Sequence, residues 1–159
     1  MKRVHYRGGL VTFHIPDTWV EEHEEDGGGT FYEPRPDSGT LRLSVLTLEP
    51  SAGTAGVPPI ALLESSAQAE LGELRELPNG NALLTYTTQS VEGAIPIRLV
   101  HWHIAQRVTP ERYRLALFTY TLAVEHEHEP VIRRELEFLR VELPAAVLAP
   151  VAGVVDGSS

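Results

Sequence analysis

Cysteine is absent from the 159 residues. That excludes disulfides, thiol nucleophiles and cysteine-ligated zinc. Positive charge is also scarce: 13 Lys and Arg stand against 22 Asp and Glu, a net charge of −9. Wrapping nucleic acid or lying on an anionic membrane needs basic patches, so neither partner is expected. Long apolar runs are missing, and none approaches the roughly 18 residues of a membrane span. The start, Met1 to Arg7, carries basic residues but runs into Gly8-Gly9 and an alternating segment. A signal peptide would need an apolar core of roughly 7–15 residues there. The chain therefore reads as soluble and cytoplasmic, without membrane insertion. Catalytic signatures are missing as well. There is no Gly-x-Ser-x-Gly, no phosphate loop and no His-Glu-x-x-His. Gly27-Gly28-Gly29 is not followed by a helical pattern, so it is no nucleotide cradle. No cofactor is expected.

What is present is an ordinary globular composition, 42% hydrophobic and 22% charged. The length suits one domain. A chain of this size buries roughly 68–70% of its unfolded surface and needs no metal or disulfide to fold. The stretch from Ile95 to Val124 is the centre of the pattern. It reads as two long strands, rich in β-branched and aromatic residues, joined at Thr109-Pro110-Glu111. Upstream, Leu10–Ile15, Thr30–Glu33 and Thr40–Leu48 read as strands. Glu21 to Asp26 is an acidic run expected as a solvated loop. Pro58-Pro59 opens a helix whose apolar stripe is Ile60, Leu63, Ala67, Leu71 and Leu74, stopping at Pro78-Asn79-Gly80. Asn81 to Val91 is a further strand, turned by Glu92-Gly93-Ala94. A second helix opens at Pro130, with Ile132, Leu136, Leu139 and Leu143 as its stripe, and ends at Pro144. The expected fold is α+β, in the order βββαβββα. An antiparallel sheet of about six strands lies between helices. Residues 1–143 form the single domain and 144–159 an apolar C-terminal tail.

Taking both meander turns as symmetric places His101 opposite Thr85 and Thr119. Opposed residues share a face. One face then carries Thr85, Thr87, Gln89, His101, His103, Thr119 and Thr121, and these are the expected partner-binding residues. The other carries Leu84, Tyr86, Val100, Trp102, Ile104, Phe118, Tyr120 and Leu122. A slip of one residue would exchange the faces of a strand. Trp19 and Trp102 are read as core. His101-x-His103 puts two imidazoles on one face, a pattern that can begin a metal site. No third ligand is evident where three or four are needed, so hydrogen bonds to Thr or water are the preferred reading. His126-x-His128, among Glu125, Glu127 and Glu129, reads as a solvated connector.

Phe13-His14-Ile15-Pro16-Asp17-Thr18-Trp19, an Ile-Pro-x-x-Trp pattern after the first strand, resembles the start of PsbP-like and DcrB-like domains. So does the element order, with an aromatic-rich last strand from Tyr113 to Tyr120 feeding a C-terminal helix. The resemblance covers Leu10 to Leu143. The group includes photosystem accessory proteins, a Ran-binding import factor and the Eag-type adaptor chaperones of type VI secretion. The resemblance implies a PsbP-like fold and a non-catalytic binding or adaptor role. For the chaperones it further implies a homodimer that cradles the apolar helices of a secreted effector. The competing class is a small metal-dependent enzyme built on His101 and His103.

Overall fold

The computed structural model describes residues 1–25, 27–49 and 56–149. Its centre is the expected pair of long strands. Ile95–Thr109 and Arg112–Ala123 alternate apolar and polar residues along their inner halves, and each sends one set of side chains to a buried face. In chain order the strands are Lys2–Tyr6 (β1), Val11–Ile15 (β2), Val20–His23 (β3), Gly29–Tyr32 (β4) and Thr40–Leu48 (β5). Helix Pro59–Glu70 (α1) precedes Glu73–Glu76 (β6), Ala82–Glu92 (β7), Ile95–Thr109 (β8) and Arg112–Ala123 (β9). Helix Pro130–Glu142 (α2) leads to the short Val147–Leu148 (β10). Seven strands form one sheet in the order β3-β4-β5-β9-β8-β7-β6, and β1-β2-β10 form a second. All pairings are antiparallel. The fold is α+β, as the element pattern predicts.

Four strands exceed that expectation. β1 carries only two buried side chains, Val4 and Tyr6, too few to stand out as a strand pattern, and it pairs along the whole of β2. β3 is built from the acidic run. Charged side chains suit an outer edge because they discourage further pairing, and Glu21–His23 pair with Phe31–Gly29 there. β6 replaces the last part of the predicted first helix. The chain leaves α1 at Leu71, which takes a left-handed φ of 54° and is 91% exposed. Gly72 follows, and a Cβ there would stand 2.8 Å from both the Thr85 carbonyl and a Leu84 methyl. Leu74 therefore packs against α1 from a strand, not from within it. β10 comes from the segment expected as a tail. It pairs with β2, and Ala146, Leu148 and Ala149 are buried.

The two faces of the large sheet are covered unequally. On one, Trp102, Ile104, Phe118 and Tyr120 pack against Phe13 and Ile15 of β2 and against Ile132 and Leu139 of α2. Trp19 and Trp102 are both core. On the other, α1 sets Leu63 over Ala82, Leu84 and Ala105 at one end only. Among the described residues, no helix is long and apolar enough to cross a membrane.

Candidate binding face

The half-covered face is defined by the register of the hairpins around β8. On the β9 side His101 lies opposite Thr119, as the symmetric turn predicts. The turn itself is a two-residue one, with Thr109 opposite Arg112, and an irregularity between Arg107 and Thr109 restores the missing residue. On the β7 side His101 lies opposite Tyr86, not Thr85. The turn there contains only Gly93 and Ala94, both with positive φ (55° and 73°), since Glu92 pairs with Ile95. This shift of one residue moves Thr85, Thr87 and Gln89 to the Trp102 face. It brings Leu84, Tyr86 and Thr88 to the histidine face. The structure thus gathers His101, His103, Thr119 and Thr121 of the predicted set and separates the three β7 residues from them. Leu84, expected beside Trp102, is instead buried beneath α1, and Tyr86 partly so.

The sequence pattern did not point to Tyr86, Thr88, Leu99, Leu117, Arg42 and Ser44. The count of residues in the Gly93-Ala94 turn was the available signal for the β7 pair. Tyr86 stacks on His101 with ring centroids 4.3 Å apart and planes inclined by 15°. Thr88 Oγ1 lies 3.0 Å from His101 Nε2, and Thr119 Oγ1 lies 3.3 Å from its Nδ1. Tyr86 Oη is 3.4 Å from His103 Nε2. Both imidazoles are half-buried, and their rings stand edge to face with centroids 5.9 Å apart. Burial disfavours the charged form, so His103 is lowered to about 4, the neighbouring His101 adding to the effect. His101 is lowered for the same first reason, with the carboxylate of Glu70 acting in the opposite direction. Burial likewise raises the Tyr86 phenol.

Beyond α1 the face forms a shallow concavity of about 480 Å³. Leu99, Leu117 and the histidines make its floor, with Thr119, Thr121 and Arg42 around them. Neutral imidazoles and threonines tolerate both water and an apolar neighbour, so such a surface can be covered and uncovered without stranding a charge. His101 and His103 supply two donors of the three or four a metal site requires. Among the described residues no three His, Asp or Glu side chains converge. His126 is less a free connector than expected. It bridges Glu129 (2.5 Å) and Asp37 (3.3 Å), and the Glu129 hydrogen bond raises it above the usual histidine range. His128 is exposed.

No family model matches the chain, and no curated protein does. Solved structures share its fold. LpqN of Mycobacterium tuberculosis, involved in cell envelope biogenesis, superposes with a TM-score of 0.66 at 10% identity, over 88% of this chain and 83% of its own. A Bacteroides thetaiotaomicron protein superposes with a TM-score of 0.62 at 14% identity over 93% of this chain, which spans 48% of that larger one. The Ran-binding protein Mog1p of Saccharomyces cerevisiae superposes with a TM-score of 0.54 at 12% identity, over 96% of this chain and 97% of its own. At such identities the likeness establishes the fold. A Ran-binding factor is among the members of the group that the sequence resembles. The alignment to cyanobacterial PsbP, with a TM-score of 0.39, carries no weight.

Proposed function

We propose that the protein is a non-catalytic binding module that holds a protein partner on the His101 face. The observation that carries this reading is the unequal cover of one sheet. α1 reaches only Ala82, Leu84, Ala105 and their neighbours, and leaves half-exposed leucine, tyrosine and histidine side chains beyond it. That the Ran-binding Mog1p shares the fold supports protein binding as the class of activity. The finer reading is a cytoplasmic adaptor, an effector chaperone of the secretion type, acting as a homodimer on an apolar helix of its client. His101, His103, Thr119 and Thr121 form the contact, joined by Tyr86, Leu99 and Leu117.

A photo-crosslinking residue placed at Leu99 tests the face in the native host. One dominant protein adduct that disappears with Leu117→Lys supports the reading. Adducts no different from those of an exposed control position, such as Glu137, overturn it. Light scattering on the full chain checks the dimer, and a monomer mass at micromolar concentration removes it. The neutral His101–His103 pair favours a second reading, a metal-dependent enzyme. Stoichiometric zinc in protein purified without a histidine tag, lost in a His101→Ala, His103→Ala double variant, would sink the adaptor reading.

A further inference from the structure

α2 carries two stripes. Ile132, Leu136, Leu139 and Leu143 face the core, and Val131, Arg134, Glu135 and Phe138 recur at helical spacing beside them. The second stripe borders a small pocket of about 270 Å³, closed on the other side by Trp19 and Glu33. Its walls are mostly apolar: Trp19 is buried, and Val131 and Phe138 are half-buried. The turn that carries Trp19 is held by its N–H on the Pro16 carbonyl (3.1 Å), and Thr18 donates to one Glu33 oxygen (2.8 Å). Glu135 is 6% exposed and reaches the pocket with an incomplete set of partners. Tyr120 donates to its Oε1, and Arg35 lies 3.4 Å from its Oε2. A charge-assisted bond of that kind is usually about 2.7–2.9 Å long, and a carboxylate has about four lone-pair sites. Burial pushes the Glu135 carboxyl above its usual range, while Tyr120 and Arg35 act against this.

We propose that this pocket takes the arginine side chain of a partner protein, its guanidinium on Glu33 and Glu135 and its stem along Phe138 and Val131. Two carboxylates beside apolar walls call for a cation on an apolar stem. The volume lies below the roughly 300–1,000 Å³ of drug-sized ligand sites and suits one side chain. Arginine fits better than lysine, because its planar fork of donors meets two carboxylates at once. The segments outside the described residues, 26, 50–55 and 150–159, contain no lysine or arginine, so they do not supply the cation. Arg134 stands exposed at the rim and opposes a cation there. The pocket lies on the side of the sheet that α2 covers, opposite the His101 face, and is independent of the reading given to that face.

The test titrates N-acetyl-arginine amide into the full chain at millimolar concentration, with N-acetyl-citrulline amide as its uncharged isostere. Amide and indole chemical shifts report the site. Saturable shifts at Trp19 and Phe138 with the arginine probe, and none with the citrulline probe, are expected. Glu33→Gln should weaken binding by about two- to five-fold, and Glu135→Gln by about ten-fold. Arg134→Gln should tighten it by about two-fold. Glu33 is half-buried at the pocket mouth, so its variant decides the matter if Glu135→Gln does not fold. Absence of saturable shifts, equal binding of the citrulline probe, or indifference to Glu33→Gln overturns the proposal. Weaker binding in Arg134→Gln overturns it as well, since the pocket would then hold an anion. Shifts confined to Leu99 and His101 would put the arginine on the opposite face and overturn it. Self-association of the free chain that Glu33→Gln abolishes would make the occupant a second copy and overturn the claim of a separate partner.

Discussion

The same three strands build two faces of opposite character. One residue along β8 separates Trp102, sealed between sheet and helix, from His101 and His103, which are half-buried. On the Trp102 face, Phe13 meets Phe31 and Phe118 edge to face at 5.2 and 5.0 Å. Its buried polar side chains are engaged. Tyr120 donates to Glu135, which also pairs with Arg35 at 3.4 Å. Arg114 donates to the Ala149 carbonyl at 2.6 Å. The His101 face has no such closure beyond α1, and its polar side chains hydrogen-bond to one another across strands. One face is thus committed to stability, and the other is left with side chains that can meet either water or a partner.

Truncations to alanine on the two faces should differ widely, by more than the difference in side-chain size. Trp102→Ala should destabilise the protein by about 3–5 kcal/mol, a large part of the roughly 5–15 kcal/mol of a typical domain. Leu117→Ala, on the neighbouring strand but the open face, should cost about 1 kcal/mol or less because its surroundings are already partly solvated. Urea unfolding followed by circular dichroism gives both values. A Trp102→Ala protein melting within a few degrees of wild type would break the distinction.

The next effect is the response to acid. The folded state holds His103 near 4, while the unfolded chain binds its proton around 6.5. Between those values the unfolded state carries more protons, so stability falls as pH drops from about 6.5 to about 4 and is flat above. The part due to His103 is on the order of 2 kcal/mol after allowance for its partial exposure. His101 acts in the same direction. His126 acts oppositely: it is raised by Glu129, so its contribution is present below 6.5 and lost as pH rises through its folded value. The comparison of wild type with His103→Gln removes these shared contributions. Thermal melts at pH 7 and pH 5 should show a smaller loss in the variant, and equal losses would contradict the neutral, half-buried state of His103.

Much of this arrangement is legible in the order of the amino acids alone. β5, β7, β8, β9 and α2 declare themselves because their side chains alternate or recur with enough apolar residues to count. The Ile132, Leu139 and Leu143 stripe and the core role of both tryptophans follow from the same pattern. β3 and β6 are edge strands, and the charges that suit an edge erase the hydrophobic signal on which a strand is recognised. β1 and β10 offer only two and one buried residues to pair with β2. The site is half legible for a different reason. His101, His103, Thr119 and Thr121 come together because a bulge in β8 makes the β8–β9 register equal to that of a three-residue turn. Thr85, Thr87 and Gln89 fall on the other face because the opposite turn is one residue shorter than its composition suggests.

That shorter turn is the smallest handle on the comparison and the most specific. A two-residue hairpin of this kind needs positive φ at both central positions. Gly93 meets that need freely, whereas Ala94 holds φ at 73° with a Cβ in place. The left-handed region costs a residue with a side chain about 1–2 kcal/mol. Glycine recovers that strain but gains about 0.5–1 kcal/mol of freedom in the unfolded chain. Ala94→Gly should therefore stabilise the protein by about 0.5 kcal/mol, read as a small rise in urea midpoint. Inserting one further glycine after Gly93 should relax the turn toward the three-residue geometry. The face identities are held by Leu83, Leu84 and Trp102 in the core, so the register should survive and only the tip should fray. Amide exchange would show this as faster exchange near Val91 and Ile95 with Tyr86 and His101 unchanged. Loss of protection along all of β7 would mean that the turn, not the core, decides which residues reach the His101 face.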